Sequence, residues 1–102
     1  MNELLEMIRE NLRIKSNAFD SNEILPLIKS CQQDMINSGI LESKVNDYKD
    51  EMIRTTIALY VKGYFGLNNP DSAKFIDLYR NNLEKLSFIS EYSDSSVNTE
   101  GE

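Results

Sequence analysis

The sequence predicts an all-α protein, a small bundle of about four helices with a flexible C-terminal tail. Apolar residues recur at spacings of three and four in four separate stretches, as they do on the buried face of a helix. Glycines and an Asn-Pro pair separate those stretches, where helices end and begin. No stretch alternates like a convincing strand, and 102 residues suffice for one domain with a modest core.

The first predicted helix runs from Glu3 to about Arg13, and the second begins near Asp20. Asp20 is the predicted N-cap because Glu23 follows three residues later, as in a capping box. Pro26 lacks an amide hydrogen, so either the first turn is kinked or the regular helix begins later. Gly39 is expected to close this helix in a left-handed conformation. The buried stripe of the second helix is predicted to contain Ile24, Leu27, Ile28, Cys31 and Met35.

The third helix is predicted to be the core helix, with Asn46 or Asp47 as the cap of its first turn and the apolar stretch 51–66 as its body. Ala58, Leu59 and Phe65 widen its apolar surface beyond a half-buried face. Such a helix must be central or must also meet a partner subunit. Its main stripe consists of Met52, Ile53, Thr56, Ile57, Tyr60, Val61 and Tyr64.

Gly66 is the predicted end of the third helix. The start of the fourth is predicted at Asn69-Pro70-Asp71, which offers a cap, a proline and an acid near the N-terminus of the helix. The seam of the fourth helix is Ile76, Tyr79, Leu83 and Leu86, and the helical pattern fades from Ser87. Three later apolar residues are expected to contact the bundle or another subunit, namely Phe88, Ile89 and Tyr92. We therefore expect a folded domain over residues 1–92 and a disordered acidic tail over residues 93–102.

Most of the net charge belongs to the end of the chain. The formal charge is −6, and residues 91–102 contain four acids and no base, which leaves −2 on residues 1–90. A nearly balanced body argues against a nucleic-acid binder with a large basic surface, although a small basic patch stays possible. The N-terminal residues resemble no signal peptide, and no window is apolar enough to cross a bilayer. We expect a soluble, intracellular protein that does not bind a membrane.

The residue types do not favour catalysis. The chain has no histidine and one cysteine, Cys31, so the commonest general base and the usual zinc ligand sets are missing. Cys31 lies on an apolar stripe, where a buried small hydrophobe is a more natural interpretation than a nucleophile. Tyr60, Tyr64 and Tyr79 could stack on bases, but at helical spacing they are more often core residues with hydroxyls near the surface. No catalytic, cofactor or metal site is predicted.

Several short motifs, taken in order, resemble the small head-tail connector proteins of tailed bacteriophages and prophages. The resemblance covers residues 1–92. It is carried by LYVKGYFG at Leu59–Gly66, NPDSAKF at Asn69–Phe75, and Tyr79 followed by NLEKLSFISEY ending at Tyr92. LRI at Leu12–Ile14 and SGI at Ser38–Ile40 agree in order with these motifs.

The resemblance implies a structural, non-enzymatic subunit that forms a ring, usually of twelve copies, beneath the portal at the capsid vertex. Such a ring extends the DNA channel, through which DNA passes only as cargo, and docks the next connector, stopper or tail protein. The expected location is the head-tail interface of the virion, after assembly in the bacterial cytoplasm. The candidate assembly contacts are Leu59, Phe65, Phe88, Ile89 and Tyr92.

A second hypothesis rests on the broad apolar helix and the scattered bases. The chain could be a small intracellular helical module that binds a regulatory protein or nucleic acid. Salt-sensitive binding to duplex DNA would distinguish this module from a connector subunit.

Overall fold

The computed structural model describes residues 2–66 and 69–93, and the helices of these ranges form an all-α bundle. The predicted fold class is therefore confirmed. The bundle contains one helix more than expected, because the connection before the core helix forms the short helix α3. The helices are α1 (Asn2–Leu12), α2 (Leu25–Asn37), α3 (Glu42–Val45), α4 (Glu51–Tyr64) and α5 (Ser72–Phe88).

Helix α4 is the central element, as predicted. It packs against α5, α2 and α1, which explains why its apolar surface is wider than one stripe. Ile53, Ile57 and Val61 are fully buried. Thr56 is also buried, and its hydroxyl donates a 2.7 Å hydrogen bond to the carbonyl of Met52. The buried hydroxyl of Thr56 is therefore satisfied within its own helix.

The end of α4 and the start of α5 fit closely. A Cβ atom added at Gly63 would lie 2.7 Å from Cγ1 of Ile76, so any side chain at this position would force a shift where these helices meet. The hydroxyl of Ser72 donates to the Gly63 carbonyl, and the Asn69 amide donates to the carbonyl of Lys62 at 2.6 Å. These bonds satisfy carbonyls in the last turn of α4 that have no partner in the helix. Gly66, the predicted stop, follows Phe65, the C-cap of α4, and has φ +81°.

The start of α2 differs from the prediction. Asp20 caps no helix; it begins a π-helical turn over Asp20–Ile24, and its carboxylate lies 3.6 Å from the Arg9 guanidinium. The Phe19 carbonyl accepts the amides of both Glu23 and Ile24. Pro26 gives the physical reason, because its ring would collide with a carbonyl of a regular helix one turn earlier. The α-helix begins at Leu25 and places Pro26 in its first turn, which is the later start left open above.

The cap of α4 was also predicted at the wrong residue. Asp50 is the N-cap, and its carboxylate accepts hydrogen bonds from the amides of Met52 and Ile53. Asn46 instead ends α3, where its side chain donates to the Glu42 carbonyl, and Asp47 accepts the amide of Lys49 in the following turn. The end of α2 agrees with the prediction.

At that end, Gly39 has φ +100° and its amide donates to the carbonyl of Ile36. The Ile40 amide donates to the carbonyl of Met35, so the two bonds form a Schellman motif. The motif directs the chain from α2 into the segment that receives the C-terminal residues.

The C-terminal segment returns to the bundle after α5. The amide of Leu41 donates to the Tyr92 carbonyl at 2.8 Å, and Ser93 forms an isolated antiparallel bridge with Ile40. Ser93, which the prediction assigned to the tail, is buried at this bridge. Residues 94–102, for which disorder is predicted, lie outside the described residues. The division into a domain over 1–92 and a tail stays a prediction.

Candidate assembly surfaces

The corner after α5 exposes two of the five candidate assembly residues. Phe88, the last residue of α5, keeps 83% of its surface exposed, and Ile89 keeps 39%. Ile89 has extended backbone angles, φ −93° and ψ 117°, so the chain leaves the helix axis there. The turn back toward the bundle leaves Phe88 on the outside of the corner. It is the most exposed large hydrophobic residue in the part of the chain that the structure describes.

The other three candidates are held by their own chain. Leu59, Phe65 and Tyr92 are half-buried and pack against the hydrophobic core. Phe65 also meets the ring of Phe19 edge to face, with the centroids 5.7 Å apart. These contacts account for the apolar character of the three residues within one subunit. Any role of the five candidates in assembly stays a prediction.

Tyr92 anchors the C-terminal segment through a specific polar contact. Its hydroxyl donates a 2.8 Å hydrogen bond to the Asp50 carboxylate, the same group that caps α4. This hydrogen bond raises the pKa of Tyr92 to about 12, because ionisation would remove the donated proton and place two negative charges together. The Lys44 ammonium lies 5.5 Å from the centre of the Tyr92 ring. Asp50 thus connects the start of α4 to the end of the folded chain.

A groove of about 660 Å³ lies between α2, α4 and α5. Three tyrosine rings form an aromatic wall in it: Tyr60 lies 4.6 Å from Tyr64 and 5.0 Å from Tyr79 between ring centroids. Tyr64 is exposed, Tyr60 is half-buried and Tyr79 is buried, so the three do not share one environment. The remaining lining residues are mostly polar, and they are Ser30, Gln33, Asp34, Asn37, Arg80 and Leu83.

Tyr79 connects this groove to the core. Its hydroxyl donates a 2.6 Å hydrogen bond to the Asp34 carboxylate, which joins α5 to α2. Burial, the neighbouring Cys31 thiol and Asp34 all raise the pKa of Tyr79, so the phenol stays protonated and keeps donating. Burial is also the main reason that the pKa of Cys31 rises to about 12. Cys31 is fully buried, which confirms its interpretation as a core residue.

A second, smaller pocket of about 240 Å³ lies where the start of α2 meets the end of α4. Its walls include Pro26, Leu27 and Phe65, with Glu23 at the polar side. The exposed Tyr64 borders both this pocket and the larger groove. Neither concavity was predicted from the sequence. The signal that could have indicated them is the width of the apolar surface of α4. Tyr64, which was predicted to lie on the main stripe, is exposed and borders both concavities.

The described residues contain no group of three His, Cys, Asp or Glu side chains able to hold a metal ion. None of the helices in residues 2–66 and 69–93 combines the length and apolar character required to cross a membrane.

Comparison with known proteins identifies the family. No curated protein and no solved structure matches the chain significantly. A family model described as phage connector protein matches residues 4–93, which include every helix described above except the first residues of α1. This family is structural and points to a non-enzymatic role in the virion. Because the match extends over most of the sequence, the chain belongs to the phage connector protein family, as the resemblance to head-tail connectors predicted.

Proposed function

We propose that the chain is the structural subunit of a ring, of twelve copies by family resemblance, that docks beneath the portal of a tailed phage. The ring extends the DNA channel and provides the docking surface for the next connector, stopper or tail protein. The observation that carries this proposal is the family match over residues 4–93. The virion is the proposed final location, and the bacterial cytoplasm is the place of assembly.

The exposed corner at Phe88 and Ile89 supports an assembly role. Burial at an interface of a phenylalanine that is 83% exposed in the single chain would stabilise that interface by about 1.5–3 kcal/mol. Aromatic residues are also enriched at the centres of protein interfaces. Phe88 is therefore the residue from which we expect assembly to gain most.

The charge distribution fits a channel for passing DNA. Residues 1–90 carry a formal charge of −2, so a ring of such subunits offers no large excess of positive charge to the phosphate backbone. Tight backbone contacts come from Lys and Arg, and strong binding would oppose sliding. A weakly acidic subunit is compatible with a channel in which DNA slides without being retained.

The experiment is to mix the purified chain with the portal of the same phage and to image the complex by negative stain. We expect ring-shaped density added to the portal. A monomer without portal is compatible with the proposal, since the ring can require its template. Absence of added density in repeated preparations would refute the proposal.

A pair of variants separates assembly from folding. Phe88→Ser with Ile89→Ser should leave helicity nearly unchanged, because both side chains are exposed, but should weaken ring formation. Leu78→Ser is the matched control, since Leu78 is also on α5 and 41% exposed. Equal loss of ring density in both variants would mean that the corner has no special role.

A further inference from the structure

We infer that Phe88 of one copy inserts into the pocket between α2 and α4 of a second copy, and this inference rests on the proposed ring. The pocket is the one lined by Pro26, Leu27, Phe65 and the exposed Tyr64. The contact assigns an occupant to the smaller pocket and a partner to the most exposed apolar side chain in the described chain.

The pocket is large enough for a phenyl ring. It is an open depression of about 240 Å³, and an enclosed cavity of about 150 Å³ is enough to hold benzene. The phenyl ring of Phe88 therefore has room to enter. Pro26, Leu27, Tyr64 and Phe65 supply its apolar lining, and Asn22 and Glu23 supply its polar lining. The larger groove is a poorer receiver, because its lining is mostly polar.

The positions of the two surfaces favour a ring. The pocket lies beside the end of α4, where Ser72 at the start of α5 bonds to Gly63. Phe88 ends α5, and a helix of 17 residues at about 1.5 Å per residue places it roughly 25 Å away. Phe88 thus cannot fill its own pocket. A contact between different patches on two copies is heterologous, and such contacts generate closed rings when the rotation closes.

The charges beside the two surfaces are also compatible. Glu84 and Lys85 precede Phe88 by about one helical turn, and all three are exposed. On the receiving side, Glu23 lines the pocket. Glu91, three residues after Phe88, is exposed as well, so the corner carries two acids and one base. Lys85 beside Phe88 and Glu23 in the pocket wall are the pair of opposite charges that this contact would bring together.

Cysteine cross-linking of portal-bound rings tests the contact between Phe88 and the pocket. The variant carries Lys85→Cys and Glu23→Cys, both at exposed positions, and keeps Phe88. The native Cys31 can stay, because it is fully buried, and the wild-type chain controls for its reactivity. A short bis-maleimide is added after ring formation, and the products are separated on a denaturing gel. We expect a ladder of covalently joined chains.

The matched control replaces Lys85→Cys by Asp77→Cys, again with Glu23→Cys. Asp77 is exposed on the same helix but lies eleven residues before Phe88, or about 16 Å along the axis. This pair should give little cross-linking. Adding Phe88→Ser to the Lys85→Cys and Glu23→Cys pair should lower the cross-linked fraction about tenfold or more, because burial of the ring is lost.

The outcomes separate this inference from the proposed function. Rings on the portal without a ladder from the Lys85→Cys pair would overturn the inference and leave the connector function in place. Equal ladders from the Lys85→Cys and Asp77→Cys pairs would overturn it in the same way. No ring density with the wild-type chain would overturn both. A ladder that depends on Phe88 would establish the contact.

Discussion

The close approach of α4 and α5 at Gly63 can be tested by adding one methyl group. In Gly63→Ala the new Cβ would lie 2.7 Å from Cγ1 of Ile76, whereas carbon atoms in ordinary contact lie about 3.5–4.0 Å apart. Cγ1 is bonded to Cβ of a β-branched side chain, which has one strongly preferred rotamer in a helix. Ile76 cannot swing aside easily, so the two helices must separate.

The net effect follows from two opposing contributions. Overpacking typically costs about 1–3 kcal/mol, and replacing glycine by alanine inside a helix recovers about 1 kcal/mol at most. We expect Gly63→Ala to lower the free energy of unfolding by about 1 kcal/mol. For a domain of this size, that loss corresponds to a decrease of about 4–8 °C in Tm.

A double-mutant cycle with Ile76→Ala shows whether the overlap is the cause. Truncation of Ile76 removes the colliding atom, so Gly63→Ala should become neutral or stabilising in that background. The expected coupling free energy between the two substitutions is about 1–3 kcal/mol. It is measured by urea denaturation with circular dichroism as the signal. A coupling below about 0.5 kcal/mol, or a stabilising effect of Gly63→Ala alone, would refute the argument.

Four further predictions concern the polar and thiol groups. Tyr79→Phe removes the buried donor to Asp34 and should cost about 1–2 kcal/mol in urea denaturation; equal stability of variant and wild type would contradict a stabilising role. Asp50→Ala removes both the cap of α4 and the acceptor of Tyr92, so it should cost about 1–3 kcal/mol, whereas Asp50→Asn, which keeps a capping oxygen, should cost less. Cys31 should resist thiol reagents at pH 8 until the protein unfolds, and rapid labelling of folded protein would contradict its burial. The pKa of Cys31 is about 12 in the folded protein, against an ordinary 9. The stability that comes from keeping this thiol protonated should therefore be complete below pH 9 and lost as the pH rises toward 12. Over this range, the Tm of Cys31→Ala should fall less than the Tm of the wild type.

The helices could be predicted from the sequence because each buries a periodic apolar face. The stripe of α4 was correct at Ile53, Ile57 and Val61, and Gly39 has the left-handed φ that was predicted for it. Gly66, which was predicted only as a helix stop, also has a positive φ. These features depend on residues close together in the chain, so local pattern is sufficient to find them.

The helix starts were less predictable because several residues can serve as caps. Asn46, Asp47 and Asp50 all carry suitable side chains, and only the backbone angles after α3 decide that Asp50 receives the two free amides. Asp20 had the spacing of a capping box, but Pro26 imposed a wider turn first. Capping chemistry is a property of backbone conformation as much as of residue type.

Of the candidate surfaces, the corner after α5 could be predicted from the sequence and the tyrosine groove could not. Phe88 and Ile89 could be singled out because they are apolar where the helical pattern fades. The tyrosine groove could not be predicted, because Asp34 and Tyr79 are 45 positions apart and meet only when α2 packs beside α5. A pattern within one helix does not report which polar residue of another helix it will face.

The return of the chain after α5 has a mechanical consequence. A force pulling on the chain beyond Ser93 would first load the bridge to Ile40 and the backbone bond from Leu41 to Tyr92. Behind those bonds, the Tyr92 hydroxyl passes part of the load to Asp50 at the head of α4. Tension at the C-terminus is therefore spread into the central helix before it can unwind the last turn of α5.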